Sequence, residues 1–319
     1  MKTLGASLFV LALAGCGGTN AGLPVSPQAP AVRIMPDHSA PLLYTANRDG
    51  ASVLAFKSKA NGNVAPVVTI SGSNTTLSDP DALAVDKKGR VYAANDGANQ
   101  VAVFAPGANG NATPSRLIGG SKSHLGPTEG ILVDPAGHLW VSDYVDSVIT
   151  EYSAKANGNV KPINTISGSN TQLQEPVGMA MDSSGTLYVA NLGASVVAFA
   201  SGAKGNATPV VTISGSKTNL SRPFALAFDP NGRLLVGDEG TGVVVFAAGA
   251  NGNVSPSAVI TGISDVTGVV SDKAGHIWAC GFEGPINEYA ANANGNATPL
   301  RSINGSKTGI NGTNYLALH

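Results

Sequence analysis

Along the chain, apolar residues gather in short runs separated by turn residues. From Gly130 the pattern reads GILVD, HLWVSD, SVITEY and PINTIS, each run rich in Val, Ile, Leu or aromatics and bounded by Gly, Asp, Asn or Pro. Such runs are strand-sized, and no window carries the period of a sustained helix. The pattern predicts short strands in succession.

The same pattern returns along the chain. The Gly of an A-N-G-N or K-G-N phrase falls at Gly62, Gly110, Gly158, Gly205, Gly252 and Gly295, at intervals of 48, 48, 47, 47 and 43 residues by subtraction of these positions. A proline keeps step at Pro66, Pro114, Pro162, Pro209, Pro256 and Pro299, and an I-x-G phrase follows at Ile70, Ile118, Ile166, Ile213, Ile260 and Ile303. The last interval is short because SGSKTNLSRP shrinks there to TGISDV. Four strands per repeat of this length is what one blade of a β-propeller needs, and a blade buries its faces only by stacking on others around an axis. The expectation is an all-β, six-bladed β-propeller with four antiparallel strands per blade.

Turn chemistry agrees. Asp86, Asp134, Asp182, Asp229 and Asp272 each stand three residues before a glycine, an Asp-initiated turn closed by a residue that tolerates positive φ. Each proline of the repeat opens a fourth, outermost strand, where a missing N–H is tolerated and an exposed edge is blunted. The first recognisable strand, LLYTAN at 42–47, matches the second strand of later blades, and no inner strand precedes it. Its counterpart is YLALH at 315–319, so the C-terminal strand is expected to complete the N-terminal blade.

Three segments follow: 1–15, 16–41 and the propeller at 42–319. The first is a Lys followed by an apolar run too short to span a bilayer, and it ends in LAGC. Leu13-Ala14-Gly15-Cys16 resembles the lipobox of bacterial lipoprotein signals, which implies diacylation of Cys16 and a membrane anchor outside the cytoplasm, on the cell envelope. The Gly-, Pro- and small-polar-rich stretch after it reads as a tether. With Cys16 lipidated, Cys280 has no disulfide partner and is read as a small core filler. Nineteen basic and twenty acidic residues give a net charge of −1, which leaves no electrostatic footprint for nucleic acid.

Pro176-Val177-Gly178-Met179-Ala180-Met181-Asp182, Gly185, Leu187-Tyr188-Val189-Ala190-Asn191, then Val196 and Phe199 resemble the repeat of NHL propellers. The resemblance covers about 42–319 and implies a propeller used for protein or RNA binding, sensing or, in a few members, catalysis. Loops here carry Ala, Ser and Gly where NHL loops carry charge, so the resemblance assigns no ligand.

Residues that differ between blades are therefore the functional candidates. Loops joining strand 4 to strand 1 and strand 2 to strand 3 share one face, the top. Near the axis there, one column reads Asp81, Glu129, Val177, Phe224, Thr267 and Asn314. A second, at the end of strand 2, reads Asn47, Asn95, Asp143, Asn191, Asp238 and Gly281, and its uniformity points to turn capping. Asp81 and Glu129 lie one blade apart at matched positions and form a candidate metal site, with calcium as the guest and Asn95 and Asp143 as further oxygen donors, to which a lactonase-like site would add Asp238. A lactonase-like hydrolase would use that set, and a streptogramin-lyase-like enzyme would pair His124 with Glu129. His138 and His276 follow D-x-x-G turns and read as polar caps, while Glu151 and Glu288 read as exposed or paired, so no zinc constellation is expected. The preferred function is a lipid-anchored binding or scaffold module with a protein or glycan ligand at the top mouth. The alternative is a metal-dependent hydrolase or lyase there, and a third class is a purely structural envelope or adhesive role.

Overall fold

A computed structural model describes residues 41–319; the expected signal peptide, Cys16 and the tether up to residue 40 lie outside the described residues. The chain forms six four-stranded antiparallel sheets, and the inner strand of each touches those of its two neighbours around a closed cycle. This is a six-bladed β-propeller. Among the described residues the helical content is a single 3-10 turn at Asp96–Ala98, and no helix is long and apolar enough to cross a membrane.

The blades are numbered here from the N-terminus. In blade 1 the C-terminal strand Thr313–Leu318 lies beside Leu42–Asn47, which pairs in turn with Ser52–Lys57 and Val68–Ile70. Leu43 faces Leu318, Tyr44 faces Ala317, and Leu42 and His319 exchange backbone hydrogen bonds of 2.7 and 3.0 Å. The ring is thus shut by pairing the two ends of the described chain, as the missing first strand predicted.

One aromatic side chain closes strand 3 of every blade: Phe56, Phe104, Tyr152, Phe199, Phe246 and Tyr289, all buried. Each contributes roughly 2–3 kcal/mol of apolar burial, so together they form a large part of the cement between sheets. At the axis, a Cβ on Gly130 would stand 2.1 Å from the Val177 carbonyl oxygen, and one on Gly178 would stand 2.2 Å from that of Phe224. Inner strands approach there more closely than any side chain would allow.

A second inter-blade device explains why the A-N-G-N and I-x-G phrases travel together. The glycine of each A-N-G-N or K-G-N turn bridges the isoleucine of the preceding blade's outer strand: Gly110 to Ile70, Gly158 to Ile118, Gly205 to Ile166, and so on around to Gly62 with Ile303. The first asparagine accepts a backbone N–H from that strand, as Asn109 does from Thr69 at 2.9 Å. The second caps the loop beyond it, as Asn111 does for Asn74 at 2.7 Å. At the seam between blades 6 and 1, Asn61 and Asn63 do the same for Ser302 and Lys307. The phrase is an inter-blade clasp as well as a turn.

Candidate functional site

All six inner strands lose register near their top ends, at Pro80/Ala82, Thr128/Gly130, Pro176/Met179, Pro223/Ala225, Val266/Gly268 and, in the pairing of blade 1, beside Thr45/Ala46. A bulge leaves a residue unpaired and re-aims its side chain. The variable column sits on these bulges in blades 2 to 6, whereas in blade 1 the unpaired residue is Tyr315 and its neighbour Asn314 pairs with Ala46. Glu129, Phe224, Thr267 and Asn314 accordingly line a top cavity of about 640 Å³, together with Arg48, Arg222, Glu239, Asp265 and Phe282.

Asp81 lies beneath this mouth, fully buried. Its Oδ1 accepts from the Asn314 side-chain amide at 3.0 Å and pairs with Arg48 Nε at 3.1 Å. Among the described residues its Oδ2 has no partner, and neither do Asn314 Oδ1, Thr313 Oγ1 and the Tyr315 hydroxyl, all of them buried. A buried acceptor left without a donor costs roughly 1–3 kcal/mol, and here two acceptors and two hydroxyls are orphaned on or next to one closing strand.

Electrostatics follow from crowding. Burial, then the charges of Asp81 and Asp96, push the Glu129 carboxyl up to about 8. Burial raises Asp81 to about 6, against the pull of Arg48. Glu239 also rises through burial, although Arg222 Nε stands 2.5 Å from its carboxylate. The mouth is short of positive charge, and Glu129 holds its proton near neutral pH.

The other candidates stand elsewhere. Asn95 donates to the Thr76 carbonyl at 3.0 Å, and Asp238 accepts the amides of Ser221, Arg222 and Gly240. Asp143 accepts those of Val145 and Asp146, both at 3.0 Å. These three groups are spent on loop backbone and do not line the mouth, so the oxygen set expected from five residues is not gathered in one place. His124 is exposed, in a left-handed conformation with φ 56°, and shares a separate cavity with Asp143, Asp146 and Lys161 rather than meeting Glu129. The opposite end of the channel is apolar, lined by Val85, Val133, Met181, Phe228 and Leu318 among others. Cys280 is buried, and burial raises its thiol to about 12, which keeps it protonated as a core filler.

Sequence reasoning missed Arg48, Glu239 and Phe282. A signal existed: the position just after the uniform Asn/Asp column reads Arg48, Asp96, Tyr144, Leu192, Glu239 and Phe282, a different residue in every blade. It also missed two side-chain clusters on the opposite face. His138 Nδ1 lies 2.9 Å from Glu151 and 3.3 Å from Asp134, and His276 Nδ1 lies 3.2 Å from Glu288 and 3.0 Å from Asp272. Glu151 is the cross-strand partner of Trp140, so the residue two before Trp140, on the same face, reaches it diagonally. The two glutamates are paired, as expected, but their partners include the histidines read as simple caps, with Arg301 as a second partner of Glu288.

No protein-family model matches the sequence, and no curated protein does. Among solved structures, a protein of unknown function from Bacteroides caccae is similar at a TM-score of 0.63 and 13% identity, over 88% of this chain and 99% of that one. The WD40 β-propeller domain of Doa1 is similar at a TM-score of 0.57 and 15% identity, over 78% of this chain and 75% of that one. The shared property is the propeller fold, an architecture that commonly serves as a binding or scaffold domain.

Proposed function

We propose that the protein is a binding propeller, tethered through lipidated Cys16 to the cell envelope outside the cytoplasm, whose top mouth captures a cation. The cation is a calcium ion or the ammonium group of a protein or glycan ligand. One observation carries this reading: among the described residues the buried oxygens Asp81 Oδ2 and Asn314 Oδ1 lack donors, beside a Glu129 carboxyl that burial pushes up to about 8. Calcium accepts carboxylate and amide oxygens in flexible numbers, and an ammonium supplies three donors.

A metal-dependent hydrolase or lyase is the second reading, favoured by Glu129 alone, because a carboxyl protonated near neutral pH can act as a general acid. Among the described residues no histidine lines the mouth, and His124 lines another cavity. Thermal-shift measurements on the full chain in detergent separate the outcomes. Stabilisation by calcium, spermidine or amino sugars, and not by neutral sugars, supports cation capture. A panel in which none of these stabilises the protein defeats it.

The anchor rests on LAGC and the tether after it. Cys16→Ala is expected to abolish palmitate labelling and to move the protein from the detergent phase to the aqueous phase. Unchanged partitioning would remove the lipoprotein reading.

A further inference from the structure

The two Asp–His–Glu clusters occupy equivalent places in blades 3 and 6, on opposite sides of the ring, and differ in one respect. In blade 6 the residue across from Glu288 on the outer strand is Arg301, whose guanidinium pairs with the free oxygen of that carboxylate. In blade 3 the matching residue across from Glu151 is Asn164, and its amide turns away to the Ala203 carbonyl at 2.9 Å. Among the described residues, the ion pairs formed by Asp134 and Glu151 are both with His138. Two largely buried carboxylates therefore face one imidazole, and among the described residues no guanidinium completes the charge balance.

We propose that Asp134, His138 and Glu151 bind a divalent ion of the zinc type, with a fourth coordination position open to the cavity between blades 3 and 4. The three ligand atoms lie within 4.8 Å of one another, with the imidazole nitrogen 2.9 and 3.3 Å from the two carboxylates. A tetrahedral zinc with bonds of about 2.0–2.2 Å sets its ligand atoms roughly 3.3–3.6 Å apart, a spacing that both imidazole–carboxylate separations approach. The donor set suits the metal: one borderline imidazole and two hard carboxylates match zinc and neighbouring divalent ions better than magnesium. The site is also braced. Asp134 uses its other oxygen, Oδ1, to accept the His138 backbone amide at 2.8 Å, which fixes the turn while Oδ2 faces the ring. A cavity of about 160 Å³, lined by Asp134, Glu151, Trp140, Met181 and Phe199 among others, adjoins the two carboxylates and has room for several waters. The site is independent of the top mouth, being built at the D-x-x-G turn at the other end of the strand.

The test is zinc retention by the full chain in detergent, measured by elemental analysis after dialysis against zinc and then buffer, with cobalt absorption as a readout of ligand geometry. Wild type is expected to keep one equivalent and to give a low-symmetry cobalt spectrum. His138→Ala and Glu151→Gln should each weaken retention at least about tenfold, the scale on which metal sites respond to lost partners. His276→Ala should leave it unchanged, and Asp81→Ala/Glu129→Ala should do the same. Arg301→Asn, which gives blade 6 the residue that blade 3 has, should raise the stoichiometry from one to two. Glu151→Gln preserves size and shape, so it decides the matter if His138→Ala fails to fold. No zinc retained by wild type, or equal loss in His138→Ala and His276→Ala, overturns the proposal.

Discussion

Deleting Tyr315–His319 from the full chain is expected to melt the whole ring rather than fray one end. The deletion removes most of the inner strand of blade 1, and with it the pairing of Leu43 with Leu318, Tyr44 with Ala317 and Thr45 with Leu316. Tyr315 and Leu316 are both buried, at roughly 2 kcal/mol each of lost apolar burial, and several backbone hydrogen bonds of about 1 kcal/mol go with them. The loss is on the order of 5–10 kcal/mol, comparable with the whole stability of a typical domain. The clasp of Gly62 on Ile303 still joins blades 1 and 6 at the rim, but it leaves the faces of Leu42–Asn47 and Pro80–Val85 uncovered at the axis. Circular dichroism should record a midpoint lowered by more than about 10 °C, or no cooperative transition. A midpoint within error of the intact chain would contradict closure by the C-terminal strand.

Glu129→Gln is expected to stabilise the protein at alkaline pH and to leave it almost unchanged near pH 5. The folded state holds the Glu129 proton up to about pH 8, whereas the unfolded chain releases it near the ordinary value of 4.5. Between those limits the folded state binds more protons than the unfolded one, so stability is fullest below about 4.5 and drains away as pH climbs through 8. Glutamine mimics the protonated side chain and has nothing to lose. Each pKa unit corresponds to about 1.4 kcal/mol, and allowance for solvent at an open mouth leaves on the order of 2 kcal/mol. In EDTA at pH 8.5 the variant should melt on the order of 5 °C above wild type. Parallel pH profiles for the two proteins would show that burial does not hold the proton on Glu129.

Much of this architecture was legible in the sequence because a repeat prints each constraint several times. The D-x-x-G turns, the aromatic that closes strand 3 and the missing first strand of blade 1 each recur, or fail to recur, in a way that only a closed ring explains. What recurs was also misread in one respect. Asn109 and Asn111 look like turn residues, and that their side chains serve the neighbouring blade cannot be seen without knowing that strand 4 lies beside the next turn.

The mouth was legible only as a column. Bulges aim Glu129 and Phe224 at the axis, and bulges leave no mark in hydrophobic alternation. Asn95, Asp143 and Asp238 have the chemistry of calcium ligands, but their oxygens meet backbone amides first, since each sits where strand 2 turns and exposes N–H groups. His138 and Glu151 are thirteen positions apart, by subtraction, and one hairpin register brings them together.

Calorimetric titration of calcium, and separately of spermidine, into wild type and into Asp81→Ala/Glu129→Ala tests the claim that the mouth captures a cation. The account predicts saturable heat with at least one of the two in wild type, accompanied by proton release at pH 7, and its loss in the double variant. Equal heats in both proteins, or no heat with either cation, would contradict it.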